Sequence, residues 1–346
     1  MNERENFLRA LEFRTPQWIP ITVSILPAAW MKYRESLEDI VLSHPKIFGS
    51  YAKGKKNFDE CPIRYRKGYH KDNWGCLWHT VQHGLLGRIV EHPLADWGSF
   101  KTYKPPDYLT KSEIGDQDWN ETETDIRKKK ANGVLTSGSG GELFTRLYFL
   151  RGFENLMFDI ATDNPNLTAL IDMLTEYEVG LVSEWLKLGV DIVGFHTDIG
   201  AQNSLMISPE KFRRYLKPMF KRIFTICREA GAHVSLSSDG RLLEIIDDLI
   251  ECGVSLHDPQ VRPNTIEGIS EKYNGRLCAK VDLDQQKILP FGTTEEVDSH
   301  LKEVVEKLNS PAGGLMIYAE IQQIYPLANI EALFQALEKY CLTGMD

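Results

Sequence analysis

Ile192–Asp198 reads IVGFHTD and His233–Asp239 reads HVSLSSD, and these two stretches decide the fold. Each opens on β-branched and apolar residues and closes on polar or acidic ones. A short, nearly continuous apolar run suits a strand buried on both faces, as in a parallel sheet. The same pattern recurs at Ile19–Ile25 (IPITVSI), Gly133–Ser137 (GVLTS), Ser255–Pro259 (SLHDP), Leu277–Leu283 (LCAKVDL) and Leu315–Ile321 (LMIYAEI). Helical patterns at Pro165–Leu188, Pro209–Ala230, Arg241–Cys252 and Thr294–Leu308 separate the later runs. Strands alternating with helices predict βα units. Their number in a chain of 346 residues predicts an α/β fold of the (β/α)8 TIM-barrel type, built as one domain over residues 1–346. The eighth strand is expected within residues 45–110. No Gly-rich phosphate turn follows the first strand, which argues against a dinucleotide-binding sheet.

Around this rhythm lie three other segments. Met1–Arg14 reads as an N-terminal amphipathic helix. The insertion Tyr65–Pro106, with Trp74, Trp78, His79 and His83, reads as a hairpin or lid near the barrel mouth. Ser137–Gly141 (SGSGG) reads as a Gly-rich turn from strand to helix.

The chain has 49 acidic and 40 basic residues, a net charge of -9, and no basic stripe. That composition argues against nucleic acid or an anionic membrane as partner. No apolar run is long enough to span a bilayer, and the charged N-terminus does not resemble a signal peptide, so a cytoplasmic protein is expected. The six cysteines are scattered without a CxxC pair, which indicates neither a disulfide framework nor a zinc ribbon.

The chemistry is expected where the strands end, since parallel barrel strands deliver their C-terminal ends to one mouth. The ends are His196–Asp198, Ser237–Asp239, His257–Asp258, Asp282 with Asp284, and Glu320. Glu320 follows a strongly apolar strand, and a carboxylate so placed needs a partner. Asp198 and Asp239 stand just before glycines, where turn or cap aspartates are common, so both roles stay open for them. Glu320, Asp239 and Asp198 are the candidate catalytic residues. His196, Ser237, His257, Trp74, Trp78 and His79 are the candidate substrate contacts.

Several segments together resemble the uroporphyrinogen decarboxylase superfamily, and in particular its corrinoid-dependent methyltransferase branch. They are Asn6–Arg14 (NFLRALEFR), Asp72–Trp78 (DNWGCLW), Phe149–Asp159 (FLRGFENLMFD), Gly189–Pro209 (GVDIVGFHTDIGAQNSLMISP), Ser237–Gly240 (SSDG), Asp258–Gln260 (DPQ), Leu283–Thr294 (LDQQKILPFGTT) and Pro326–Ala332 (PLANIEA). The resemblance implies an α/β barrel and one of two chemistries. Decarboxylases of porphyrinogen acetates carry an arginine-rich segment after the first strand, and Ser24–Tyr33 (SILPAAWMKY) lacks it. Methyltransferases that act on thiols carry His-x-Cys at a strand end and a later Cys, which together bind zinc. Here Ser237 and Asp239 stand at the first position, and Ala319 or Glu320 at the second.

An oxygen site in place of a thiolate site implies O-demethylation. A small O-methyl substrate, aromatic ethers included, would give its methyl group to the cobalt of a cobalamin-type corrinoid carried by a partner protein. A metal, zinc first among the choices, is expected on Asp239, Glu320 and His196. The resemblance also makes a homodimer an expectation. Two alternatives stay open: a decarboxylase of a porphyrinogen or other polycarboxylate, and a barrel that binds a ligand or corrinoid protein without catalysis.

Overall fold

The computed structural model describes residues 1–345. Its strands are β1 (Ile21–Ile25), β2 (Gly68–Lys71), β3 (Leu77–Thr80), β4 (Arg88–Glu91), β5 (Ser137–Glu142), β6 (Ile192–His196), β7 (His233–Ser237), β8 (Leu256–Asp258), β9 (Cys278–Asp282) and β10 (Leu315–Ile321). Seven of them form one sheet in the order β1-β10-β9-β8-β7-β6-β5. From β5 to β10 each strand neighbours the next in sequence, and β1 lies beside β10. This is the cyclic strand order of a β/α barrel with no strand between β1 and β5. The eighth strand expected within residues 45–110 is not found there among the described residues. That interval instead supplies β2, β3 and β4, which form a separate three-stranded sheet. With three strands, the Trp/His-rich insertion is more than a single hairpin.

The chain divides into two compact units. The first comprises Met1–Gly68, Thr80–Gly87 and Asp258–Asp346. In it β1, β10 and β9 are parallel, with Ser24 opposite Glu320, Thr22 opposite Tyr318, and Tyr318 opposite Asp282. The helix Thr294–Leu308 begins at a capping box, in which Thr293 and Glu296 satisfy each other's backbone N–H groups. Its buried residues Val297, Leu301 and Val304 recur at helical spacing, as do Ile330, Leu333, Phe334 and Leu337 of Leu327–Tyr340, and these two helices pack together.

The second unit comprises Tyr69–His79 and Arg88–His257. Here β5, β6 and β7 are parallel, with Ser139, Gly194 and Ser235 in one row and Glu142, His196 and Ser237 in another. Val193, Phe195, Val234 and Leu236 are buried. Phe195 lies 4.9 Å from Phe224 of the helix Lys217–Glu229.

The stretch SGSGG is not a turn. It is the body of β5, with a register shift between Ser139 and Glu142. Glycine is needed because neighbours crowd the strand. A Cβ at Gly140 would lie 2.1 Å from the Phe195 ring, and one at Gly141 would lie 1.9 Å from Glu178 Oε1. Tertiary packing, not turn chemistry, explains the composition.

Candidate active site

The second unit gathers most of the candidate residues. The loops that follow β6 and β7 clasp each other. Arg241 N–H donates to Ala201 O at 2.8 Å, and a Cβ at Gly240 would lie 2.2 Å from the Gly200 carbonyl carbon. Two glycines therefore let two strand-end loops touch. The contact aligns the acids that precede them: Asp239 N–H donates to Asp198 Oδ1 at 3.2 Å. Asp198 N–H in turn donates to Thr145 Oγ1 at 2.8 Å. Asp198 thus accepts from a neighbouring loop rather than from the first turn of its own helix, and Asp239 is exposed.

Beside them runs the row Glu142–His196–Ser237 at the ends of β5, β6 and β7. His196 is exposed, and Glu142 and Ser237 are half-buried. The row beneath, Ser139–Gly194–Ser235, carries almost no side-chain volume and is at least partly open to solvent. Bulky branched residues normally fill the interior of a barrel. This unit leaves a polar, accessible strand face in their place.

One residue that the sequence pattern did not single out belongs with this group. Tyr148, on the helix Leu143–Arg151, has its phenol pushed up to about 12. Burial is the main cause; a Thr145 hydrogen bond opposes it, and the carboxylates of Asp198, Glu142 and Asp239 reinforce it. Tyr148 therefore holds its proton beside three carboxylates. Its signal in the sequence is slight, an ordinary aromatic within the helical stretch LFTRLYFLR.

The D-x-W-G-x-x-W element has a clear structural account. Asp72 accepts from Cys76 N–H and from the Trp78 indole N–H, each at 2.8 Å. Trp74 and Trp78 are each 3% exposed. The Arg146 guanidinium stacks 4.7 Å over Trp74 and donates to Glu113 at 2.5 Å. Both indoles thus pack in the interior around a buried arginine. His79 is half-buried and stacks on Tyr69 with ring centroids 4.3 Å apart. His257, on β8, is fully buried.

Glu320 lies in the first unit, at the end of β10. It accepts from the Tyr318 hydroxyl at 3.2 Å and from Gln322 Nε2 at 3.0 Å. Gln322 also donates to Gln285, and Gln285 to Asp282. The partner that a carboxylate in this position requires is therefore a network of neutral donors. Asp282 also accepts from Val261 N–H at 2.7 Å. Asp284 caps the turn Gln285–Lys287 through two backbone N–H groups. Among the described residues, no group of three or more His, Cys, Asp or Glu is arranged to hold a metal ion. Of the residues expected as zinc ligands, Asp239 and His196 belong to the second unit and Glu320 to the first.

No described helix is long and apolar enough to cross a membrane. Among solved structures, a methyltransferase from Methanosarcina mazei is similar over 97% of this chain and 98% of its own, with a TM-score of 0.64 at 16% identity. That likeness is one of fold. A D-psicose 3-epimerase is similar over 65% of this chain and 85% of its own (TM-score 0.39, 11% identity). A dihydropteroate synthase from Xanthomonas albilineans is similar over 53% and 60% (TM-score 0.33, 12% identity). No curated protein sequence matches the chain. The family pattern described as uroporphyrinogen decarboxylase (URO-D) matches residues 88–340, which is most of the chain and includes β5 to β10 with all the strand-end acids named above. The chain belongs to the uroporphyrinogen decarboxylase family.

Proposed function

We propose that this protein is a methyltransferase that takes the methyl group from a small O-methyl compound, aromatic ethers included, and passes it to the cobalt of a corrinoid carried by a separate protein. Family membership and the fold shared with a methyltransferase support the class of reaction. The observation that carries the reading is the make-up of the site at β5–β7. A phenol held protonated mainly by burial feels the charges of Asp198, Glu142 and Asp239, and no lysine or arginine lies in the rows Ser139–Gly194–Ser235 and Glu142–His196–Ser237. Such a surface is a poor host for a substrate bearing many carboxylates. It suits a neutral ether whose oxygen must gain a proton as the methyl group leaves.

In that step the carbon–oxygen bond breaks and its electron pair stays on oxygen. Tyr148 supplies the proton, and solvent returns it afterwards. An alkoxide is basic enough to take the proton from a phenol near 12. A phenolate, with a conjugate acid near about 10, would receive a hydrogen bond only. Burial keeps the phenol protonated until that moment, and the charges of Asp198, Glu142 and Asp239 reinforce it. His196 and Ser237 contact the substrate; this step gives no part to Glu320, which belongs to the other unit.

The test is methyl transfer from a panel of methyl ethers to free cob(I)alamin, followed by the change in cobalt absorption. Tyr148→Phe is expected to slow transfer by about 10²- to 10⁴-fold from alkyl ethers, and by less from aryl ethers with better leaving groups. Equal rates for wild type and Tyr148→Phe would sink the proposed role. Failure of every ether, with carbon dioxide released from a porphyrinogen, would instead favour the decarboxylase.

A further inference from the structure

Glu178 lies on the helix Pro165–Lys187, behind β5, and is completely buried. The reaction above makes no use of it. Its Oε2 accepts the Gly141 N–H at 2.8 Å, while Oε1 has no hydrogen-bond partner. Gly141 occupies the one irregular part of β5, where the pairing with β6 shifts between Ser139 and Glu142. The next residue is Glu142, which stands opposite His196. A regular strand would alternate without interruption, so the side chain at 142 reaches its row only because the backbone bulges at 140–141. A bulge leaves a backbone N–H outside the ladder, and an amide in the interior needs an acceptor. Glu178 is that acceptor.

We propose that Glu178 is a positioning residue: through the Gly141 amide it fixes the bulge in β5 that places Glu142 beside Tyr148 and opposite His196. Two further observations agree. A Cβ at Gly141 would lie 1.9 Å from Glu178 Oε1 and would force the carboxylate to shift, so strand and carboxylate are fitted to each other. The groups that act on Glu178 are Arg146 from the helix Leu143–Arg151, Glu113 from the loop before the helix Trp119–Ala131, Glu142 itself, and Tyr177 on its own helix. Burial dominates among these influences and pushes Glu178 up to about 7. A carboxyl this costly to bury is retained where a hydrophobic residue would pack at less cost. An acceptor function accounts for that. The role matters to catalysis only if Glu142 is a site residue, as the proposed function holds.

The experiment reads the bulge directly and uses no substrate. Amide hydrogen exchange is followed by mass spectrometry on the peptide spanning β5 in wild type, Glu178→Gln and Glu178→Met. Glutamine keeps an acceptor oxygen; methionine fills a similar volume without one. Loss of one buried hydrogen bond is expected to speed exchange in this peptide by about tenfold in Glu178→Met. Glu178→Gln should stay within about threefold of wild type. Peptides from β9 and β10 should not change in either variant. Unchanged β5 exchange in Glu178→Met overturns the proposal, and so does equal acceleration in Glu178→Gln. Acceleration spread evenly over every strand also overturns it, since that would mark general destabilisation. If Glu178→Met does not fold, Gly141→Ala, which drives a Cβ against the same carboxylate, is read in its place with the same expectations. None of these outcomes depends on methyl transfer, so a failed ether assay would leave this result standing.

Discussion

The two sets of three parallel strands solve the same problem in opposite ways. In β1, β10 and β9 the shared polar face carries long side chains that satisfy one another. Lys280 of β9 pairs with Asp258 at the end of β8 at 2.9 Å, and Tyr318 of β10 and Gln322 just after it both donate to Glu320. In β5, β6 and β7 the corresponding face carries Ser139, Gly194 and Ser235, with Glu142, His196 and Ser237 above them. One face is filled by its own side chains. The other is emptied and left open to solvent. An interior normally closes up around apolar volume. A face kept empty and polar is therefore the part of the sheet with room for a substrate.

Filling the empty face has the largest expected effect. Gly194 has an ordinary strand conformation, and a Cβ added there would meet nothing nearer than Gly138 O at 4.0 Å. Gly194→Leu should therefore fold, with stability changed by no more than about 1 kcal/mol. Its methyl-transfer rate should fall at least about 100-fold, because the leucine occupies the substrate's place. Thermal unfolding and the cobalt assay, run on the same preparation, check both parts. A fully active Gly194→Leu would mean that the substrate binds elsewhere.

The filled face predicts the reverse: a stability defect. Lys280 and Asp258 are 19% and 16% exposed, so the pair is largely removed from water. Lys280→Met removes the ion pair with Asp258 and should cost about 2 kcal/mol, less than for a fully buried pair because some solvent reaches both groups. Adding Asp258→Leu should recover most of that loss. Urea denaturation of the single and double variants gives the cycle. A double variant no more stable than Lys280→Met would show that the charge pair is not what holds this face together.

Much of this contrast was legible in the sequence, and the reason is local chemistry. Runs such as IVGFHTD and LMIYAEI announce both a buried strand and its polar end, so β1 and β6 to β10 fall where the pattern puts them. β5 does not, because its residues are serine and glycine. Its identity comes from Trp185, Phe195 and Glu178 pressing on it from other elements, which no local pattern records. The acids Asp198 and Asp239 were visible as strand ends. Tyr148 and Glu178 were not, since each lies within a helical stretch and acquires its role only through what the fold brings against it. Arg146 offered a weak clue, as one of two arginines, with Arg151, in the buried run LFTRLYFLR. The Trp74–Trp78 element was conspicuous for composition, and its packing around Arg146 emerges only in three dimensions.

The smallest expected effect is on the pH dependence of stability. Both faces carry carboxylates, but Glu178, behind the emptied one, is the buried carboxyl whose proton is held up to about 7. In the unfolded chain a glutamate ionises near about 4.3. Between these values the folded protein binds a proton at this site that the unfolded chain has released. Stability therefore falls as pH rises through that window. The neutral carboxyl's contribution is fully present below the lower value and is lost once pH passes the upper one. Glu178→Gln cannot titrate. Relative to wild type, its stability should improve on going from pH 4.5 to pH 8, by about 1–2 kcal/mol once relaxation of the buried site is allowed for. Thermal melts of both proteins across that range read the difference directly as a few degrees of diverging Tm. Parallel pH curves would mean that Glu178 ionises as readily in the fold as in the unfolded chain. The carboxylate behind β5 would then be solvated like those on the open strand ends, and the distinction between the packed back of this sheet and its accessible face would be smaller than the geometry indicates.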